Sequence, residues 1–204
     1  MLPVPRFPAA PVEIFEAFPR AFVLESFLGA ETCLSLIEAS EGLGFESAPI
    51  TVGPNAYVHA PDLRNNTRVM VDDPGLAEAL FSRIPRDVAR LPGLPARPVG
   101  LNERFRIYRY DPGQFFDWHL DGAFVRSPEE RSFQTFMVYL NEGFEGGQTD
   151  FCREAWTDPK SESEVVPRVG RGLAFEHRTL HRGRAVASGR KYVLRTDIMY
   201  RESD

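Results

Sequence analysis

Apolar residues recur at helical spacing in the first half of the chain and alternate with polar residues in the second half. The change falls near residue 100. Within the first half, residues 30–41 carry Cys33, Leu34 and Ile37 on one side of a predicted helix. Glycines follow directly and end that helix.

A second helix is predicted just before the middle of the chain. Asp73 can cap its first turn, and Pro74 suits the first helical position. Leu76 and Leu80 follow at helical spacing, and Pro85 then interrupts or kinks the helix. The first half is therefore expected to contain two short helices.

The rest of the first half is rich in proline and predicts mostly irregular structure. Residues 1–20 are expected to form an irregular arm on the surface, and residues 22–24 a short strand. Residues 47–66 are interpreted as a long loop because prolines and glycine break them repeatedly. Loops of this length are often functional or mobile.

The second half predicts short strands separated by turns that contain glycine and proline. The predicted strands cover residues 105–110, 115–120, 135–141, 148–152, 164–167, 173–175 and 191–200. Such a series favours a double-sheet jelly roll. We therefore expect an α+β fold: a double-stranded β-helix (jelly-roll) core with flanking N-terminal helices.

The size and composition of the chain narrow the functional classes. A chain of 204 residues fits one domain, here residues 1–204, with support helices and a substrate loop in 1–99 and the catalytic core in 100–204. A formal net charge of −5 argues against a nucleic-acid partner, which would require clustered excess basic residues.

The same sequence suggests a cellular location. It shows no signal peptide and no apolar run of membrane-spanning length. Cys33 and Cys152 are too few for a disulfide framework and are expected to be buried thiols. We therefore expect a cytoplasmic protein with no membrane partner.

The pattern with the most specific chemistry is a His-x-Asp pair, His119 and Asp121, followed about sixty residues later by His181. Two histidines and one carboxylate can hold Fe(II) on one face of an octahedron and leave the other positions open. If the first segment is a strand, His119 and Asp121 point to the same side. Lys191, ten positions after His181, could pair with the far carboxylate of a chelating 2-oxo acid.

Three sequence blocks around these residues resemble the catalytic domain of prolyl 4-hydroxylase-type Fe(II)/2-oxoglutarate-dependent dioxygenases. They are YRYDPGQFFDWHLDG, FMVYLNEGFEGGQTDF and LHRGRAVASGRKYVLRTDIMY, and the resemblance covers roughly residues 104–200. It implies hydroxylation of a C–H bond, coupled to oxidative decarboxylation of 2-oxoglutarate to succinate and CO₂. The implied cofactor is Fe(II), the cosubstrates are 2-oxoglutarate and O₂, and ascorbate is a further expected ligand.

The resemblance assigns the metal to three residues. His119, Asp121 and His181 match the iron ligands of the family and are the predicted catalytic centre. His177 lies four positions before His181 and competes with it. The glycine two residues after His181 fits the family pattern, so His181 is the preferred ligand.

The resemblance also indicates which residues bind 2-oxoglutarate. Lys191 matches the partner of its C5 carboxylate, and Tyr139 matches the tyrosine that contacts the same group. Arg195 is the alternative to Lys191 because the two share one face of the predicted strand. Tyr110 matches a tyrosine near the metal-chelating end, and Thr149 is expected to line the same pocket.

The substrate is less well defined by the sequence. Residues 51–68 occupy the place of the family's substrate-covering segment, and four polar residues there are candidate substrate contacts: Tyr57, Arg64, Asn66 and Arg68. The expected substrate is either a prolyl residue in a peptide or protein, or a free amino acid or other small molecule.

Two other functional classes use the same ligand set. A non-catalytic 2-oxoglutarate-binding sensor or interaction module would keep the fold without turnover. A zinc hydrolase would need a general base beside a metal-bound water, and Asp117 or Glu176 would be the candidates. Lys191 would then have no purpose, so the oxygenase is the leading hypothesis.

Overall fold

The computed structural model describes residues 2–53, 56–94, 96–153 and 159–202. Within these ranges the helices are α1 Ala30–Leu43, α2 Pro74–Arg83 and α3 Arg86–Ala89. The strands before residue 115 are β1 Glu13–Phe18, β2 Ala21–Glu25, β3 Glu46–Ser47, β4 Ile50–Gly53, β5 Ala56–Val58, β6 Thr67–Asp72, β7 Ala96–Leu101 and β8 Arg104–Tyr110. The later strands are β9 Phe116–His119, β10 Val125–Ser127, β11 Glu130–Tyr139, β12 Glu145–Gly146, β13 Thr149–Cys152, β14 Ser163–Val165, β15 Gly172–Glu176, β16 Leu180–Gly183, β17 Val186–Ser188 and β18 Lys191–Glu202.

Two antiparallel sheets form the jelly-roll core that the sequence predicts. The large sheet has the strand order β1-β2-β15-β11-β18-β8-β6-β3, with β10 beside β11 and β7 beside β18. The smaller sheet has the order β14-β13-β16-β9. One apolar cluster joins residues of the large sheet to β13, β14 and β17, and includes Tyr139, Phe151 and Phe175. It fills the space between the two sheets.

The helices cover the other face of the large sheet. A second apolar cluster joins α1, α2 and α3 to the sheet through residues such as Leu36, Leu80 and Phe105. The molecule is therefore built in three layers: helices, large sheet and small sheet. This confirms the expected core with flanking N-terminal helices.

The predicted helices are present, with one error in the buried face of α1. This helix buries Cys33 and Leu36, whereas Leu34 is 56% exposed. Successive helical residues lie about 100° apart, so Leu34 falls away from the row through Cys33 and Leu36. The prediction that Leu34 faces inward was wrong.

The start of α2 follows the predicted capping. The Asp73 carboxylate accepts the backbone N–H of Leu76 at 3.0 Å and that of Leu2 at 2.8 Å. Pro85 separates α2 from α3, as expected of a residue that cannot continue a helix. Asp73 therefore also holds the N-terminal segment against the helix layer.

Several strands lie where the sequence predicted irregular structure. The supposed arm contains β1, which pairs with β2, and the supposed loop 47–66 contains β4 and β5, which pair with each other. β6, β7 and β16 were also missed. These segments are short or interrupted, and pairing with distant strands rather than their own pattern decides their structure.

No helix in the described ranges is long and apolar enough to cross a membrane. The longest of them, α1, has 14 residues, whereas a spanning helix requires about 20. Cys33 and Cys152 both lie in the protein interior, as expected.

Candidate active site

The three predicted metal ligands meet at the edge of the smaller sheet. His119 on β9 and His181 on β16 are direct cross-strand partners, so their side chains lie next to each other. Asp121 comes two residues after the end of β9, and its backbone N–H donates to the carbonyl of His177 at 3.0 Å. Like the predicted strand 115–120, β9 ends before Asp121, so the pair does not lie wholly on one strand. The Asp121 side chain nevertheless reaches the two imidazoles.

The donor atoms of the triad converge on one point. One donor atom from each of His119, Asp121 and His181 lies within 4.8 Å of the others. Oδ1 of Asp121 lies 3.7 Å from Nε2 of His119, and Oδ2 of Asp121 lies 3.6 Å from Nε2 of His181. These separations fit a single metal ion bound by all three side chains.

Backbone carbonyls fix the tautomer of both histidines. Nδ1 of His119 lies 2.6 Å from the carbonyl oxygen of Asp117, and Nδ1 of His181 lies 2.9 Å from that of Thr179. A carbonyl can only accept, so each Nδ1 carries the proton and each Nε2 presents its lone pair to the metal position.

The protonation states of the triad also suit a divalent cation. Burial lowers the pKa of His119 well below its ordinary value, and burial likewise lowers the pKa of His181. Burial opposes ionisation of Asp121, but Arg195 and the two histidines hold the pKa of that carboxyl well below its usual range. Two neutral imidazoles and one carboxylate are the forms that bind a metal.

A ring of polar contacts holds the Asp121 carboxylate. Nη2 of Arg195 lies 2.9 Å from one oxygen, and the hydroxyl of Thr135 donates to the other at 2.5 Å. Nδ1 of His177 lies 3.1 Å from the same Thr135 hydroxyl, and its Nε2 lies 2.8 Å from the hydroxyl of Ser132. His177 is therefore a neighbour of Thr135 behind the triad, which favours His181 as the metal ligand.

A cavity of about 450 Å³, counted with its open mouth, lies between the two sheets at the triad. The lining residues are Tyr108, Tyr110, Phe116, His119, Asp121, Thr135, Met137, Thr149, Phe175, His181, Gly183, Lys191, Val193 and Arg195. All the predicted iron and 2-oxoglutarate contacts except Tyr139 are in this lining.

Lys191 is a buried cation among neutral groups. It is 2% exposed, its Nζ donates to the carbonyl of Gly147 at 2.5 Å, and it lies over the rings of Tyr110 and Tyr139 at 5.1 and 5.5 Å. The hydroxyl of Tyr139 lies 2.7 Å from that of Thr149. Burial lowers the pKa of Lys191 to about 7. Within the described part of the chain no carboxylate pairs with this lysine, so an anionic ligand is expected there.

Arg195 has a different environment from Lys191. Its guanidinium already contacts Asp121 at 2.9 Å and lies 3.6 Å from Asp197. These two carboxylates already neutralise the Arg195 guanidinium, so it is not free to pair with a cosubstrate carboxylate. Lys191 is therefore the better candidate for the 2-oxoglutarate C5 carboxylate.

The wall beside His119 contains two residues that the sequence did not indicate, Phe116 and Tyr108. The ring of Phe116 stacks on the His119 imidazole with ring centres 3.4 Å apart. The guanidinium carbon of Arg64 lies 4.4 Å from the Phe116 ring centre and 4.5 Å from that of Tyr108. Tyr108 could have been found because it shares a strand face with Tyr110, two positions later. Phe116 carries no such signal.

The four candidate substrate residues are not grouped together. Tyr57 is 58% exposed on β5, and Arg68 pairs with Glu46 at 3.6 Å; neither belongs to the cavity lining. Asn66 is buried and accepts a hydrogen bond from Nε of Arg64 at 2.8 Å. Arg64 packs against two side chains of the lining, Tyr108 and Phe116.

One of the two candidate general bases of a zinc hydrolase is already paired. The Glu176 carboxylate lies 2.6 Å from Nη1 of Arg20. The geometry therefore does not favour Glu176 as that base.

The family model of the 2OG-Fe(II) oxygenase superfamily matches residues 105–196. Probable prolyl 4-hydroxylase 9 of Arabidopsis thaliana is 28% identical, over 90% of this chain and 69% of the relative. The viral collagen prolyl hydroxylase of Paramecium Bursaria Chlorella virus-1, solved as a 2OG complex, has a TM-score of 0.57 at 21% identity, covering 89% of this chain and 96% of the other. A Trichoplax adhaerens prolyl hydroxylase, solved with a hypoxia inducible factor oxygen degradation domain peptide fragment, has a TM-score of 0.62 at 14% identity, covering 89% and 83%.

Proposed function

We infer the reaction from one premise: the chain is a prolyl 4-hydroxylase-like Fe(II)/2-oxoglutarate-dependent oxygenase, an oxidoreductase that uses Fe(II), 2-oxoglutarate and O₂. We propose that it hydroxylates an aliphatic C–H bond, with a prolyl residue of a peptide or protein as the first candidate target. The observation that carries this proposal is a converging His-Asp-His triad in the same cavity as a buried lysine with no carboxylate partner in the described ranges.

The residues present fit the metal. His119, Asp121 and His181 would hold Fe(II) through two Nε2 atoms and one carboxylate oxygen, since both Nδ1 atoms are engaged with carbonyls. Bound iron would supply the activation of O₂ that oxidises the substrate C–H bond while 2-oxoglutarate becomes succinate and CO₂. Arg195 and Thr135 hold the Asp121 carboxylate in its orientation.

The far end of the cavity would bind the cosubstrate. Lys191 would pair with the C5 carboxylate of 2-oxoglutarate, and Tyr139 and Thr149 would complete that end by hydrogen bonding. Tyr110 lies over the lysine and lines the path from there to the triad. The apolar side chains of Met137, Phe175 and Val193 would keep water away from the reacting atoms.

The target remains a choice between two classes. The names of the relatives support a prolyl residue. A free amino acid or other small molecule is the second candidate. It is supported by Arg64, which packs against the cavity-lining Tyr108 and Phe116 and whose Nη2 has no hydrogen-bond partner in the described ranges. A non-catalytic sensor is not favoured, because the metal-ligand triad is complete. Dependence on ascorbate and a cytoplasmic location are further proposals that rest on the family resemblance and on the sequence.

The proposed function is tested by product formation. Purified protein with Fe(II), 2-oxoglutarate, O₂ and a proline-rich peptide should release succinate and increase the peptide mass by one oxygen. His119→Ala should lower both by about 100-fold or more, because a metal ligand is lost. His59→Ala, at an exposed histidine outside the cavity lining, is the matched control and should behave as wild type. Equal succinate release by His119→Ala would contradict the proposal.

A further inference from the structure

We propose that the substrate carries a carboxylate and that Arg64, which packs against the cavity-lining side chains Tyr108 and Phe116, binds it. This inference rests on the proposed function, since it concerns the organic substrate of the same site. It assigns a chemical class to that substrate, which neither the family match nor the relatives do.

Positive side chains outnumber negative ones around the cavity. Two of the arginines pair with buried carboxylates. Arg195 lies 2.9 Å from Asp121, and Arg106 lies 3.5 Å from Asp197. Within the described ranges, neither Arg64 nor Lys191 forms an ion pair with a carboxylate. Two cations are thus left without a carboxylate.

Loading the site does not remove this surplus. Fe(II) and 2-oxoglutarate carry equal and opposite charges, so together they leave the balance unchanged. The C5 carboxylate would satisfy Lys191, and the C1 carboxylate would lie at the metal. Arg64 would still have no anionic partner. Because a buried unpaired charge is costly, a further anion is expected.

Arg64 itself is buried and incompletely bonded. The residue is 6% exposed; its Nε donates to Asn66, and its Nη1 lies 3.5 Å from the carbonyl of Pro49. Its Nη2 is buried and has no hydrogen-bond partner in the described ranges. An unsatisfied buried guanidinium N–H is destabilising unless a ligand completes it.

The position of Arg64 connects it to the metal centre. Its guanidinium packs on the Phe116 ring at 4.4 Å, and that ring stacks on the imidazole of His119 at 3.4 Å. An anion bound by Arg64 would therefore lie about one aromatic ring from the metal ligands.

The positive charge of the wall acts inside the cavity. Burial opposes ionisation of the Tyr108 phenol, yet Arg64, Arg195 and Arg106 lower its pKa to about 8. Burial raises the pKa of Tyr110 to about 12, and Arg64 opposes that rise. Both tyrosines line the cavity, so the charge of Arg64 acts on groups of the cavity wall.

A guanidinium recognises carboxylates through directed N–H groups, so a carboxylate is the favoured anion. It could be the α-carboxylate of a free amino acid or the C-terminal carboxylate of a peptide. Both present the same group to Arg64, and the experiment distinguishes them.

The test compares acids with their amides. Wild-type protein with Fe(II) and 2-oxoglutarate receives a pool of neutral L-amino acids, including L-proline, or the matching pool of primary amides. A prolyl peptide with a free C-terminus and the same peptide amidated form the second pair. Succinate release is measured in air, and the shift of the visible iron–2-oxoglutarate absorption band is measured anaerobically.

We expect acids to accelerate succinate release and shift the band, and amides to do neither. Activity with the free amino acids alone would identify a small-molecule substrate, and activity with the free-acid peptide would identify a peptide C-terminus. Equal responses to acids and amides, or no response to any carboxylate probe, would overturn the proposal. The band formed with 2-oxoglutarate alone would still report the proposed function, so the two failures are distinguishable.

A matched pair of variants assigns the role to Arg64. Arg64→Gln should raise the acid concentration for half-maximal response by roughly 10- to 100-fold, the loss expected for a hydrogen bond to a charged group. Affinity for 2-oxoglutarate should not change, and Arg64→Lys should restore part of the response. Arg68→Gln, at an arginine that already pairs with Glu46, should behave as wild type. An unchanged response in Arg64→Gln would overturn the assignment, and the 2-oxoglutarate band shows whether that variant is folded.

Discussion

Lys191 and Arg195 show how two cations on one strand face acquire different roles from their neighbours. Arg195 faces Asp121 and Asp197, whereas Lys191 contacts a carbonyl and two aromatic rings. The sequence predicts both as candidates because they are four positions apart on one strand. It cannot predict which one faces a carboxylate, since Asp121 is distant in sequence and reaches Arg195 only through the fold.

Removing each cation separates their roles. Lys191→Ala should weaken 2-oxoglutarate binding by roughly 10- to 100-fold, because it removes a charge-assisted hydrogen bond. Arg195→Ala should mainly weaken metal binding, since it frees the Asp121 carboxylate. Titrations of 2-oxoglutarate and of metal into both variants test this difference. A larger loss of 2-oxoglutarate affinity in Arg195→Ala would transfer the cosubstrate role to Arg195.

The pKa of Lys191 predicts a pH dependence. Burial lowers it to about 7, and only the protonated amine can pair with the C5 carboxylate. The dissociation constant of 2-oxoglutarate should therefore rise above pH 7, approaching tenfold per pH unit, because binding takes up one proton. Calorimetric titrations between pH 6.5 and 9, with Mn(II) in place of Fe(II), measure this change.

Lys191→Arg is the control for that experiment. A guanidinium remains protonated throughout this pH range. The dissociation constant of 2-oxoglutarate should therefore not change with pH in Lys191→Arg, whereas it should rise above pH 7 in wild type. An equally steep rise in both proteins would mean that another group titrates.

At the level of elements, the cosubstrate end depends on a turn that follows β12. Gly146 and Gly147 have φ values of 78° and 70°, and the carbonyl of Gly147 accepts the Lys191 amine. The run of two glycines predicts a turn but not this contact. Likewise β16 carries His181 without an alternating pattern, because pairing with β13 and β9 defines it as a strand. Short strands held by distant partners could not be predicted from local sequence.

A methyl group at Gly146 tests the importance of this turn. A Cβ there would lie 2.3 Å from the carbonyl oxygen of Ala185, so Gly146→Ala must displace the turn that holds Lys191. We expect stability to fall by about 1–3 kcal/mol and 2-oxoglutarate affinity to fall with it. Denaturant unfolding and ligand titration measure the two effects.

Gly143→Ala provides the comparison. Gly143 also has a positive φ, 84°, but a Cβ there would meet nothing within 4 Å. This variant should show the backbone strain without the collision and should keep its 2-oxoglutarate affinity. Equal loss of affinity in both variants would mean that strain alone explains the effect.

At the level of the whole molecule, the acidic surface and the cationic cavity have opposite characters. The net charge is −5, yet Lys191 in the cavity and Arg64 beside it have no carboxylate partner in the described ranges. Composition predicted an acidic protein and could not show this interior, because burial separates the few cavity residues from the rest. The jelly roll and its helix layer were predictable from strand spacing and from the α2 cap. The position of Arg64 was not, since it depends on packing against Phe116.

Ligand binding between the sheets should stabilise the entire domain. Mn(II) and 2-oxoglutarate, each at about 100 times its dissociation constant, should add about 2.7 kcal/mol apiece, about 5.4 kcal/mol together, which raises the melting temperature by roughly 10–20 °C. Thermal unfolding with and without both ligands measures this shift. His181→Ala should lose it, and a shift retained in that variant would place the ligands elsewhere.

The central claim is that His119, Asp121 and His181 hold iron in direct contact with 2-oxoglutarate. The most direct measurement is the visible absorption of anaerobic protein with Fe(II) and 2-oxoglutarate. A weak metal-to-ligand charge-transfer band should appear in wild type and be absent from His119→Ala. Absence of the band in wild type, or its persistence in His119→Ala, would contradict the claim.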